Sequence, residues 1–237
     1  EGASGEELWL RAPGRVGTCG PALSNRTRRI ALWAAPGARA WDTGCYWSIM
    51  VRAKDMESLY ADAVAMGWWS QTPITEIDFG GNLIKVIVFQ GPDGVQVQAY
   101  ERVNADPPEG FTPFERLSQP FNIMQMSKDR DGARYFMVRV LGFDTFFAGP
   151  PYTDDAPTFM PLGIPKNLTT TVPYKAGIFY PQPSEYGRME YIEIDGLDGH
   201  DFAGRCHAPN LGTLSVSYPV EDIDAAEAVL IARGWNI

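Results

Sequence analysis

Residues 121–144 read FNIMQMSKDRDGARYFMVRVLGFD, and this stretch decides the fold. It opens as a strand, FNIMQMS (121–127), and turns at Lys128-Asp129. Ala133, Phe136, Met137 and Val140 then follow at the three- and four-residue steps that line one helix face. Asp129 is placed to accept hydrogen bonds from the free N–H groups of the first turn, and its charge suits the positive end of the helix dipole. Gly142 can take the left-handed conformation that ends a helix, with Phe143 packing back onto the last turn. The unit is a strand followed by a helix that covers a sheet.

Working outward, the same unit recurs. WSIMVRA (47–53) leads through Lys54-Asp55 into DMESLYADAVAM and closes at Gly67-Trp68. TLSVSYPV (213–220) leads through Glu221-Asp222 into IDAAEAVLIAR and closes at Gly234-Trp235. The Asp-to-Gly intervals are 12, 13 and 12 residues in chain order, so the chain is built from a repeated strand-helix unit. After the first helix come LIKVIVF (83–89) and VQVQAYERV (95–103), joined across an Asp-Gly turn as a hairpin. Residues 45–103 therefore form a complete β-α-β-β-β module. Residues 104–119, with Pro107, Pro108 and Pro113, read as a linker. A second βαβββ module spans 120–210 and holds a long loop at 144–186, where eight prolines fall between Pro150 and Pro183 before GRMEYIEID (187–195) resumes as a strand. Residues 1–44 carry strand-like segments (EELWLRAPG, RRIALWAAPGARAW) with no strand-helix pair before them, and 211–237 are a strand-helix pair with no strands after it. The two halves could complete one module, within one chain or across a homodimer, or flanking sequence outside these residues could complete each. The fold class is α+β, with tandem modules forming curved mixed sheets around a cleft and helices on the outer face.

Composition narrows the functions. A chain of 237 residues that is 45% hydrophobic and 21% charged is globular, not disordered. Its formal charge of −9 repels nucleic acid and anionic membrane surfaces. No run approaches the ~18 apolar residues of a membrane span. Cys19, Cys45 and Cys206 are an odd set without CxxC spacing, which argues against a disulfide framework and a structural zinc site, and for a reducing, cytoplasmic setting. Asn25-Arg26-Thr27 and Asn167-Leu168-Thr169 match a glycosylation pattern short enough to arise by chance.

FNIMQMSKDRDGARYFMVRVLGFD, GPDGVQVQAYE and VEDIDAAEAVLIARGW resemble the opening strand and helix, the fourth strand and a further helix of the vicinal oxygen chelate superfamily, which contains glyoxalases, bleomycin-resistance proteins and extradiol dioxygenases. The resemblance implies paired βαβββ modules that curl into a cleft. In metal-using members a histidine on each opening strand and a glutamate or histidine on each fourth strand grasp a divalent cation. Here, seven residues before the helix caps, the histidine position falls on Ser48, Asn122 and Ser215. The fourth-strand glutamate falls on Gln98, and Glu193 alone restores a carboxylate. Neutral hydroxyls and amides are poor ligands for Zn²⁺, Fe²⁺ or Mn²⁺, so neither the family's metal triad nor any other cofactor is expected. An extradiol dioxygenase would need two histidines and a glutamate converging on iron, which these positions do not supply.

The candidate site residues follow from strand alternation. Ser48, Met50 and Arg52 share one face, Gln96, Gln98 and Tyr100 another, and Asn122 brings Met124 with it. Arg52 could clamp a carboxylate or phenolate, or be a solvated strand end. The glutamines could orient a ligand, or form an ordinary polar face. Glu193 and His207 are the candidate catalytic groups, and Asp198, His200, Cys206 and His207 a candidate acid-base or metal cluster in a loop. The expected function is binding of a small aromatic or hydrophobic molecule in the cleft; the alternative is a glyoxalase-type lyase or isomerase using Glu193, His200 or His207.

Overall fold

The computed structural model describes residues 33–107 and 109–235, together with the backbone of 6–9 and 22–25. Strands β1 (Glu6–Trp9) and β2 (Ala22–Asn25) pair with each other in an antiparallel ribbon. The main sheet is built by two consecutive modules. The first runs β3 (Tyr46–Arg52), α1 (Met56–Ala65), β4 (Thr75–Phe79), β5 (Asn82–Gln90) and β6 (Gln96–Arg102). The second runs β7 (Asn122–Met126), α2 (Arg130–Tyr135, prolonged by a π-turn over Phe136–Val140), β8 (Asp144–Ala148), β9 (Tyr174–Tyr180) and β10 (Arg188–Ile194). Their strands form one curled mixed sheet in the order β4-β5-β6-β3-β7-β10-β9-β8. β3 and β7 meet antiparallel at the centre, and each lies parallel to the last strand of its own module. The order reads the same from either edge, so the two modules are related by a pseudo-twofold axis between β3 and β7.

The helix signals work as the sequence implies. Asp55, Asp129 and Asp222 accept hydrogen bonds from the N–H of Ser58 (3.2 Å), Gly132 (2.7 Å) and Ala225 (2.9 Å). Gly67, Gly142 and Gly234 end the helices with φ of 85°, 81° and 84°. A second carboxylate caps each complete module's helix from its last strand: Glu101 accepts from the N–H of Asp55 and Met56, and Glu193 from the N–H of Arg130. On the convex side α1 packs Met56, Leu59 and Ala63 on Val51, Ile87, Phe89 and Ala99, while α2 and its π-turn cover Ile123, Phe179, Met189 and Tyr191. Each such fully buried aliphatic or aromatic chain contributes roughly 1.5–3 kcal/mol. The concave side is lined by Met50, Val88, Met124, Met126 and Ile192, and is covered by Phe111, Met160, Leu162, Ile164 and Tyr186 from the connecting segments.

Three expectations are corrected. The long loop at 144–186 contains strands β8 and β9; β8 is an exposed edge carrying Phe146 and Phe147 at the surface, so it lacks the alternation that would reveal it. Residues 213–220 form no strand and pair with none of the sheet's strands. They lie instead over the second module, with Tyr218 5.1 Å from Phe143, and lead to α3 (Ile223–Ala232), which exposes Ile223, Val229 and Ile231. Finally, Cys45 and Cys206 form a disulfide, Cα atoms 5.3 Å apart. A pair 161 residues apart leaves no trace in local spacing. Cys19 and most of the strand-like RRIALW lie outside the described residues; residues 33–44 form turns and isolated bridges.

Candidate functional site

Four side chains, two per module, meet on the floor of the concave face. Ser48 on β3 and Asn122 on β7 each stand seven residues before the aspartate cap of the following helix. Gln98 on β6 and Glu190 on β10 each stand three residues before the glutamate that caps the same helix, Glu101 and Glu193. The four are thus equivalent under the pseudo-twofold. Register fixes their neighbours: Met50 stands between Gln98 and Asn122, and Met124 between Ser48 and Glu190.

All four are buried, and their hydrogen-bonding capacity is only partly filled. Asn122 donates from Nδ2 to Glu190 Oε2 at 2.8 Å, with Met50 Sδ at 3.0 Å. Gln98 donates from Nε2 to the Tyr100 hydroxyl at 2.7 Å. Ser48 Oγ, Gln98 Oε1 and Asn122 Oδ1 have no hydrogen-bond partner among the described residues. Burial pushes the Glu190 carboxyl up to about 7, against the opposing Asn122 hydrogen bond. Burial also raises the Tyr100 hydroxyl, helped by Glu190, and raises Tyr174 to about 12.

The remaining candidates divide. Arg52 lies on the same face with its guanidinium 4.5 Å from the Phe121 ring centre. Gln96 is held elsewhere, accepting from Gln90 Nε2 and donating to the Trp47 carbonyl, both at 3.0 Å. Glu193 does not enter the cleft. Alternation on β10 turns Arg188, Glu190 and Ile192 inward, so Glu193 faces the convex side, where it caps α2 and pairs with Lys175 at 3.1 Å. His207 is exposed, both ring nitrogens beside the backbone carbonyls of Ala208 and Gly204. Cys206 is tied into the disulfide, so the loop cluster with Asp198 and His200 loses its thiol. Ser215 lies outside the sheet.

The carboxylate that the sequence reading missed is Glu190. Its signal was present: QAYE (98–101) and EYIE (190–193) each end on the glutamate that caps the module's helix, and aligning them puts Gln98 opposite Glu190. As a cation site this floor offers one carboxylate, two amides and a hydroxyl. Zn²⁺ and Fe²⁺ favour imidazole nitrogen and several anionic oxygens, and Asn122 turns its N–H toward the single carboxylate. Among the described residues no three His, Cys, Asp or Glu side chains come together. The donor set does not fit the metal of the metal-using relatives.

Among solved structures the chain is similar to glyoxalase I from Zea mays, with a TM-score of 0.56 at 13% identity over 89% of this chain and 59% of that one. Its V278E mutant gives 0.52 at 13% identity over 80% and 54%. The chain has the vicinal oxygen chelate fold. It spans a little over half the length of these maize structures. No family profile matches it, and no curated protein does. Within the fold, Ser48, Gln98 and Asn122 occupy positions that the resemblance assigned to cation-grasping groups, and Glu190, not Glu193, is the pseudo-twofold counterpart of Gln98. Among the described residues no helix is long and apolar enough to cross a membrane.

Proposed function

We propose that this protein binds a small, partly aromatic organic molecule on the concave face and holds it by hydrogen bonds and apolar contact, without the metal ion of its metal-using relatives. The observation that carries the reading is the set of three unpartnered polar atoms, Ser48 Oγ, Gln98 Oε1 and Asn122 Oδ1, gathered beside Glu190. A buried polar group without a partner costs about 1–3 kcal/mol. A ligand that supplies donors and acceptors would use this free hydrogen-bonding capacity. Met50, Met124 and Tyr100 around it suit a flat or hydrophobic ligand. The kinship in function is then with bleomycin-resistance proteins, which sequester a compound. The test is a titration of intrinsic tryptophan fluorescence with aromatic acids and polycyclic antibiotics, on protein whose metal content has been measured. Binding by metal-free protein supports the reading; no response at millimolar concentration, or binding only after a cation is restored, refutes it.

A second reading, a lyase or isomerase, is favoured by one observation. Glu190 is buried, and its carboxyl lies near neutrality, where a carboxylate can take up and return a proton. This role moves from Glu193 and His207 to Glu190. Exchange of a ligand C–H for solvent deuterium, present in wild type and lost in Glu190→Gln with binding retained, would establish it; binding with no exchange would reject it.

Two further expectations belong to the same reading. A homodimer is a further expectation, with the exposed Ile223, Val229 and Ile231 of α3 as its contact surface. Sedimentation showing a monomer at micromolar concentration would dismiss it. The cytoplasmic setting rested on unpaired cysteines, and the Cys45–Cys206 disulfide favours an oxidising compartment instead.

A further inference from the structure

The concave face continues past Met50 to a partly buried arginine, Arg52, and a buried one, Arg188, that share one carboxylate. The Arg52 guanidinium lies against the edge-to-face pair Phe121 and Phe111, 4.5 Å from the Phe121 ring centre and 5.6 Å from that of Phe111. Its Nε is buried with no partner among the described residues. The carboxylate facing it is Glu185, whose Oε2 is 3.9 Å from Arg52 and is itself buried without a hydrogen bond among the described residues. The other oxygen, Oε1, accepts from Arg188 at 2.7 Å. Arg188 also donates from Nε to the Ser184 carbonyl at 2.9 Å and lies 3.9 Å from the Phe146 ring centre. A charge-assisted hydrogen bond is about 2.7–2.9 Å long. Glu185 therefore satisfies Arg188 and leaves Arg52 with a long contact, and two cations facing one anion leave a net positive charge.

We infer that Arg52 and Arg188 form the subsite for the carboxylate of an organic acid, and that Glu185 holds the place of that carboxylate in the ligand-free chain. The inference rests on the concave-face binding reading and names its ligand class. Glu185 sits in the turn between β9 and β10, where it can withdraw without breaking the sheet. The planar guanidinium fork of Arg52 matches a carboxylate, and its cation–π contacts with Phe121 and Phe111 on one side help to orient the fork. Arg52 is two residues along β3 from Met50, whose neighbours across the sheet are Gln98 and Asn122. That step is about 7 Å, at roughly 3.3 Å per residue. An acid anchored at Arg52 reaches Gln98, Asn122 and Glu190 with a substituent four or five bonds away, which is the span of a benzene ring. The ligand class is therefore an arylcarboxylic or arylacetic acid, of which phenylacetate is the simplest member to test.

The experiment compares phenylacetate with its neutral counterpart phenylacetamide, by tryptophan fluorescence and calorimetry, on wild type, Glu185→Gln and Arg52→Gln. Phenylacetate is expected to bind wild type at least tenfold more tightly than phenylacetamide. Glu185→Gln is expected to raise the affinity for phenylacetate about tenfold and leave phenylacetamide unchanged, a gain that a merely structural glutamate would not produce. Arg52→Gln is expected to abolish the preference. Equal binding of the two compounds by wild type, or no gain in Glu185→Gln, overturns the anion subsite while the concave-face reading stands. No binding of either compound to wild type or Glu185→Gln overturns both. Should Arg52→Gln fail to fold, the first two comparisons decide.

Discussion

Replacing Glu190 with glutamine tests the floor of the cleft through its effect on stability. The carboxyl titrates at about 7 in the folded chain, against an ordinary value of 4.5. Below pH 4.5 both folded and unfolded chains hold this proton, and the group adds no pH dependence. Between 4.5 and 7 the unfolded chain releases the proton while the fold keeps it, so rising pH favours unfolding; above 7 the loss is complete. The shift of 2.5 units, 7 less 4.5, corresponds to about 3 kcal/mol at 1.36 kcal/mol per unit. Glutamine keeps the shape and can still accept from Asn122, but it cannot ionise. The stability of Glu190→Gln relative to wild type should therefore climb by about 3 kcal/mol between pH 4 and pH 8. Urea unfolding of both proteins across that range measures it. The Asp42 carboxyl, buried yet held near 2 by its bonds from Arg39 and from the His200 N–H, and every other titrating group cancel in the difference. A difference that stays flat with pH would mean that Glu190 is solvated, and the dry floor it is supposed to mark would not exist.

Other perturbations separate scaffold from site. Glu193→Gln should weaken the cap of α2 and the pair with Lys175, lowering stability by about 1 kcal/mol; ligand affinity in the same titration should stay unchanged. Opening the disulfide with Cys45→Ser frees a 161-residue loop, and chain entropy gives a loss of about 5 kcal/mol as an upper value; chemical denaturation without reductant reads it. Gly142→Ala forces a side chain into φ 81° at the end of the second helix and should cost about 1 kcal/mol, visible as a lower midpoint with an unchanged slope.

The fold was legible because its punctuation is local. An aspartate cap, a helical stripe and a terminal glycine fall within fourteen residues, and three copies made the period visible. Ser48 and Asn122 could be counted back from a helix cap and Gln98 placed by alternation on β6, whereas the same count from the third cap gave Ser215, which lies outside the sheet. Glu190 was missed although 187–195 was read as a strand, because its register follows only when Glu193 is matched to Glu101 as a helix-capping residue, a contact made across the fold. The disulfide was invisible because its partners meet only after the sheet has formed. TLSVSYPV has the alternation of a strand and yet is none, because a strand needs a neighbour to accept its hydrogen bonds, and sequence pattern does not report whether one is there.

Comparison of the two modules within one chain isolates what the site requires. The glutamates that cap the helices, Glu101 and Glu193, are the same residue in both modules and make the same backbone contact. The scaffold positions therefore obey the pseudo-twofold. The floor positions do not: serine faces asparagine across the axis, and glutamine faces glutamate. A cation that draws similar ligands from both modules favours like donors at these four places. An organic molecule with two different ends favours unlike ones, with a proton-holding group at one position and neutral hydrogen-bonding groups at the others. The second arginine follows the same logic: Arg188 on β10 corresponds to Gln96 on β6, which is bonded to Gln90 and the Trp47 carbonyl and offers no charge. The asymmetry thus extends from the floor to the end of the face where the carboxylate subsite is assigned. A symmetric scaffold carrying an asymmetric set of polar groups is the arrangement that orients a ligand along the face and distinguishes its ends.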